Sequence, residues 1–192
     1  MPTTSSNTLL KKLSGGDLRS IGQADKVAAH VLRRPALFPQ LMLGLSSSDP
    51  IVRMRAADAA EKVSVSSPEL LQPFKTKLLR LLDEATQQEL RWHLAQMVPR
   101  LALSRKDTTR ATVAVRRYLE DKSSLVKTSA MQALADLAGA DADRVPETIR
   151  LLMAAAKTGT PAMRARSRKL LRQLNQPDLR RGSSASRSLR NP

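Results

Sequence analysis

Few side-chain sets that could do chemistry can be read in this chain of 192 residues. It has no cysteine, which excludes disulfides and thiolate metal sites. His30 and His93 are the two histidines, far apart in the sequence and outside any metal-ligand spacing. No Ser-His-Asp set and no pair of catalytic carboxylates stands out. Gly15-Gly16 reads as a helix break, because it lacks the Lys-Ser/Thr of a phosphate loop. The sequence thus points away from an enzyme, a metal and a cofactor. What it does hold is charge: 33 Lys and Arg against 17 Asp and Glu, a formal +16. The chemistry of such an excess is attraction to phosphate or carboxylate. Trp92 is the single tryptophan in a chain with 2% aromatics, and an aromatic of this kind can anchor a partner.

The charge is uneven. Residues 161–192 carry nine basic residues and one acid, Asp178, for +8; residues 1–160 carry 24 basic and 16 acidic residues, also +8. The cluster comprises Arg164, Arg166, Arg168, Lys169 and Arg172, then Arg180, Arg181, Arg187 and Arg190. It reads either as a solubility device or as a patch for something anionic. Arg180-Arg181-Gly182-Ser183 also resembles a basic-directed phosphorylation site.

The elements that must position these residues follow from a recurring stretch. Asp49-Pro50 opens a helix with an acidic cap and Pro at the first position, and Val52, Ala56, Ala59, Ala60 and Val63 then share one helical face. An apolar residue followed by Arg or Lys starts the same pattern again at Leu90, Val126 and Met163, at spacings of 38, 36 and 37 residues. Each copy follows another amphipathic segment: 35–45, 67–82, 107–119 and 143–157. With so few aromatics, Ala and Leu must fill the core. Thr8–Leu13 reads as a short helix. Asp17 reads as the cap of a second helix, with Leu18, Ile21, Ala24, Val27, Ala28, Val31 and Leu32 along one side, and this pair as a degenerate first unit. The domain division is then 1–16, a disordered start with a short helix; 17–174, the repeats; and 175–192, a disordered basic tail. Met1–Ser6 shows no secretory pattern, and the most apolar run, 36–45, is broken by Pro39 and too short to span a bilayer. The expectation is a cytoplasmic monomer without a membrane partner.

Two antiparallel helices per unit, a Pro-bearing first helix (Pro39, Pro73, Pro146), an Asp-Pro turn and Val52-Arg53-x-x-Ala56-x-x-Ala59 resemble the HEAT repeat, over roughly residues 17–174. The resemblance implies an all-α fold, a right-handed α-solenoid of about four to five helix pairs whose second helices line a concave groove. It also implies a protein partner. Helix phase then turns Met54, Asp58 and Glu61, Trp92, Gln96 and Pro99, Thr128, Gln132 and Ala135, and Ala165, Lys169 and Arg172 toward that groove. Arg53, Arg91, Lys127 and Arg164 form a ladder down one flank, which the resemblance assigns to pairing with turn acids such as Asp49 and Asp121. The candidate partner-binding residues are Arg55, Trp92, His93, Arg166, Arg168, Lys169 and Arg172. The leading expectation is a non-catalytic scaffold for a protein with an acidic segment; the alternative is nucleic-acid binding through the basic end. A third reading, an enzyme similar to the alkylpurine DNA glycosylases built on such a scaffold, rests on Trp92 and Asp58 alone.

Overall fold

The computed structural model describes residues 5–175, and the tail expected beyond Asn175 lies outside the described residues. Among the described residues there are ten α-helices and no strand. They are α1 (Ser5–Lys11), α2 (Ala24–Arg33), α3 (Phe38–Gly44), α4 (Pro50–Ser66), α5 (Lys75–Glu84), α6 (Gln88–Met97), α7 (Arg105–Arg117), α8 (Ser124–Gly139), α9 (Val145–Thr158) and α10 (Pro161–Asn175). None is long and apolar enough to cross a membrane.

The cap positions repeat with the sequence. Asp49, Gln87, Ser123 and Thr160 each precede one of the even-numbered helices from α4 to α10. Asp49 accepts from the Ile51 amide at 2.8 Å, Ser123 from Val126 at 3.4 Å and Thr160 from Met163 at 3.3 Å. Gln87 makes no cap bond. Its side chain instead donates to the Pro50 carbonyl at 2.9 Å and accepts from Arg53 at 2.5 Å, tying two units together. The prolines of the first helices sit where a missing amide costs little: Pro39 and Pro146 at the starts of α3 and α9, Pro73 in the 3-10 turn 68–74 before α5.

The even-numbered helices pack in a row, α2 on α4, α4 on α6, α6 on α8 and α8 on α10, while α1 packs on α3 and α5 on α7 in a second row. Pairs α3/α4, α5/α6, α7/α8 and α9/α10 join the rows. The polar bonds have the same range. Lys62–Asp25, Lys77–Met42, Arg100–Glu61, Tyr118–Leu82 and Arg166–Gln132 each join residues 34 to 39 positions apart, one repeat length.

A helix inside such a row meets neighbours on both sides and its own pair partner. Ala56, Ala57, Ala59 and Ala60 of α4 are accordingly all fully buried, and α8 buries Ala130, Ala133, Ala135 and Ala138. One apolar cluster runs from Leu9 to Leu137; a separate small one, Met131, Ala135, Leu152, Leu170 and Leu174, holds α9 and α10.

Two expectations are corrected at the N-terminus. The first helix starts at Ser5, three residues earlier than the reading. The second starts at Ala24, so Leu18 and Ile21 are not on it and are exposed, as is Leu32. Residues 14–23 instead form a loop with Gly15, Gly16 and Gly22 at positive φ, and Arg55 is what it wraps around. An ideal Cβ on Gly22 would lie 2.7 Å from Arg55 Cζ, so this position admits no larger residue without displacing the guanidinium.

Candidate partner-binding surface

Arg55 is not a ligand contact. It is 3% exposed. Its Nε donates to the Ser20 carbonyl at 3.0 Å, Nη1 to Leu13 at 3.0 Å and Gly15 at 2.6 Å, and Nη2 to Asp17 at 3.2 Å. A planar five-donor group suits this task of gathering backbone carbonyls from one loop. No pattern in the residues around Arg55 marks it, because the partners are main-chain carbonyls of residues 13–20, read as a helix end, a Gly-Gly break and the start of a second helix.

His93 is also removed from the surface. It is 6% exposed, and burial, with the Lys62 charge adding to it, lowers its pKa to about 3. It is therefore a neutral imidazole at physiological pH. Its Nε2 lies 3.9 Å from Asp58 Oδ1, and its Nδ1 is buried with no partner among the described residues. Asp58, expected in the groove, is buried too; burial pushes its carboxyl up, against a 2.8 Å bond from Lys62. Met54, Thr128 and Ala135 are likewise buried where exposure was expected. Trp92 is half-buried, packs on the main core and lies 5.3 Å from the His93 ring.

Four expected groove residues do come together. Gln96, Pro99, Thr128 and Gln132 line one cavity of about 390 Å³ between α6, α8 and α10, with Arg100, Asp136 and Arg166. Arg166 donates to Gln132 at 3.1 Å, and Gln132 to Asp136 at 2.8 Å. Arg100, which the sequence did not single out, is held by Glu61 at 2.6 Å and Ser64 at 2.6 Å. Within its walls Arg166, Gln132 and Asp136 form one bonded chain, and Arg100 is tied to residues outside them.

The ladder divides in two. Arg53 donates to the Ser47 carbonyl at 2.6 Å as well as to Gln87; Arg91 donates to the Ala85 carbonyl at 2.7 Å and to Asp121 at 2.6 Å. Both reach six residues back and one unit forward, which is a structural use of the cation. Asp49, offered as a partner for Arg53, caps its own helix. Lys127 and Arg164 form no ion pair among the described residues.

The acids explain this division. All sixteen acids of residues 1–160 lie at or before Glu147. Ten of them form ion pairs with Arg or Lys: Asp25, Asp58, Glu61, Asp83, Glu84, Asp107, Asp121, Asp141, Asp143 and Glu147. From there to Asp178 the chain has no acid and seven cations: Arg150, Lys157, Arg164, Arg166, Arg168, Lys169 and Arg172. On α10, Ser167, Leu170 and Leu174 are buried, while Arg164, Arg168, Lys169 and Arg172 are exposed. Arg168 and Arg172 flank a shallow hollow with Ala165 and Leu171 on α10, the last helix among the described residues.

Comparison with known proteins gives no match to any family model, any curated protein or any solved structure.

Proposed function

We propose that the chain is a non-catalytic binding scaffold, a right-handed α-solenoid of HEAT-like helix pairs that holds an acidic segment of another protein against its last unit. The two rows of helices and the one-repeat reach of the polar bonds support the solenoid. The observation that carries the binding is the acid-free stretch from Thr148 in α9 to Asn175 at the end of α10. From Arg53 to Arg144 most cations are spent on carboxylates and carbonyls of the same chain, whereas Arg164, Arg168, Lys169 and Arg172 are exposed and unneutralised among the described residues. An acidic segment supplies the missing charges.

Duplex DNA is the second reading. Arg164, Arg168 and Arg172 recur every fourth residue, which sets a stripe of cations along one side of α10. The two readings separate in one calorimetric experiment at physiological salt. A Glu-rich peptide and a duplex of equal charge are titrated into the full chain and into the Arg166→Gln, Arg168→Gln, Lys169→Gln, Arg172→Gln variant. The scaffold reading expects peptide binding that the variant loses. Micromolar duplex binding without peptide binding overturns it in favour of nucleic acid, and binding of neither removes both.

A further inference from the structure

The two halves of α9 are held differently. Its start and the turn before it are strapped to α7: Arg105 donates to Asp143 at 3.1 Å, Arg116 pairs with Glu147, and Arg144 donates to the Thr109 hydroxyl at 2.8 Å. Beyond Thr148 no side-chain hydrogen bond joins α9 to α7 among the described residues. Here a cleft of about 170 Å³ opens between α9, α8 and the turn 118–120, lined by Leu119, Met131, Leu134, Leu152, Ala155 and Met163. A dry cavity of about 150 Å³ is enough to take benzene. The cleft therefore has room for one ring or one leucine side chain, and none for the face of a helix.

Its surroundings in the chain are cationic. Lys122 lies two residues after Glu120, the one acid of the lining; Lys157 precedes Thr158, also in the lining; and Arg164 follows Met163. All three are exposed, and none forms an ion pair among the described residues. An apolar side chain carried on a basic segment would bring like charges together, while one flanked by carboxylates is attracted.

We propose that this cleft is the anchor pocket for a single aromatic or leucine side chain within the acidic partner segment. The assignment rests on the acidic-partner reading above and adds the residue that fixes the segment's register. Charge alone holds a flexible acidic peptide in many positions; one buried side chain selects a single position.

The test uses the full chain and two Glu-rich peptides identical except for a central Phe or Ala. The Phe peptide is expected to bind about tenfold tighter or more, as burial of one aromatic side chain allows. Ala155→Phe, which fills the cleft from within, should abolish that difference and leave the Ala peptide's affinity unchanged. Ala155→Leu should reduce the difference in part, and it serves if the larger residue disturbs folding. Methyl resonances of Met131 and Met163 should shift with the Phe peptide and stay in place with the Ala peptide. Equal affinity of the two peptides for the wild-type chain overturns the anchor while leaving the acidic-partner reading intact. Binding of neither overturns that reading and the anchor with it. A dimer that Ala155→Phe dissociates makes the occupant a second copy, and also overturns the assignment.

Discussion

Arg91 donates to the Asp121 carboxylate at 2.6 Å, reaching from one unit into the next, and its guanidinium lies 5.4 Å from the centre of the Tyr118 ring. Arg164 occupies the matching place on α10 and meets no acid among the described residues. The same residue type at the same repeat position is thus a structural tie in the middle of the stack and an open cation at its end.

Arg91→Met should therefore cost about 2 kcal/mol of stability, the range for a hydrogen bond to a charged group, because Asp121 is left nearly buried and unpaired. Arg164→Met should stay within about 0.5 kcal/mol of wild type, as surface changes do. Urea unfolding of the two variants measures both. Burial raises the Asp121 carboxyl, but the Ser123 amide and Arg91 outweigh it and hold its pKa below the ordinary value. Its contribution is present above the unfolded carboxylate range and is lost as pH falls through its lower folded value, so the penalty of Arg91→Met should shrink in strong acid.

Arg55→Met should release the loop 14–23 without unfolding the stack, since the bonds it removes all go to that loop and its approach. Limited trypsin digestion reports this directly: cleavage after Arg19 should become fast in the variant and stay slow in wild type. Gly22→Ala should act in the same direction, because its Cβ meets the guanidinium and its φ is +55°.

Ala56→Asp and Ala130→Asp should each unfold the region around them. Both alanines are fully buried at helix contacts. Leaving a buried charge unpaired costs about 3–5 kcal/mol, a large share of the roughly 5–15 kcal/mol that holds a domain together. Thermal melts within a degree or two of wild type would mean that the helix phase is wrong.

The phase of those alanines was legible because it depends on local periodicity, and so was the Asp49 cap; Asp17, read as the cap of the second helix, lies in the loop before it. The groove-facing positions were legible only in part. Gln96 and Gln132 line a common cavity as helix phase requires, but Asp58 and Met54 are buried. A single helix wheel assigns one apolar face, whereas α4 is covered on several sides by α2, α3 and α6. Arg55 and His93 failed as site residues for the same kind of reason. What covers them is fixed by a loop and by a neighbouring helix, and neither leaves a mark on their own segment. The basic end was legible as charge. That Arg164, Arg168, Lys169 and Arg172 meet no acid among the described residues required knowing which acids the earlier units had already used.

Acid should destabilise the fold through His93. The unfolded histidine takes a proton near pH 6.5 and the folded one at about 3, so the unfolded chain holds more protons between these values. Stability then falls as pH drops below 6.5, by at most about 1.4 kcal/mol per unit. Asp58 works with the opposite sign lower down, because burial raises its pKa and the folded chain takes that proton first. His93→Phe should flatten the stability profile between pH 6.5 and the carboxylate range; denaturant midpoints at several pH values check it.

The most direct test of the whole account is the salt dependence of binding, followed for a Glu-rich peptide and for duplex DNA on the same protein. The account predicts that the peptide still binds at physiological salt and that replacing Arg166, Arg168, Lys169 and Arg172 by Gln weakens it tenfold or more with helicity unchanged. Duplex binding should fall with log salt at a slope of about −4 to −5, as for a few phosphate contacts, and be lost by that salt. Peptide affinity that the four substitutions leave unaltered, or duplex binding that stays micromolar while the peptide does not bind, would contradict it.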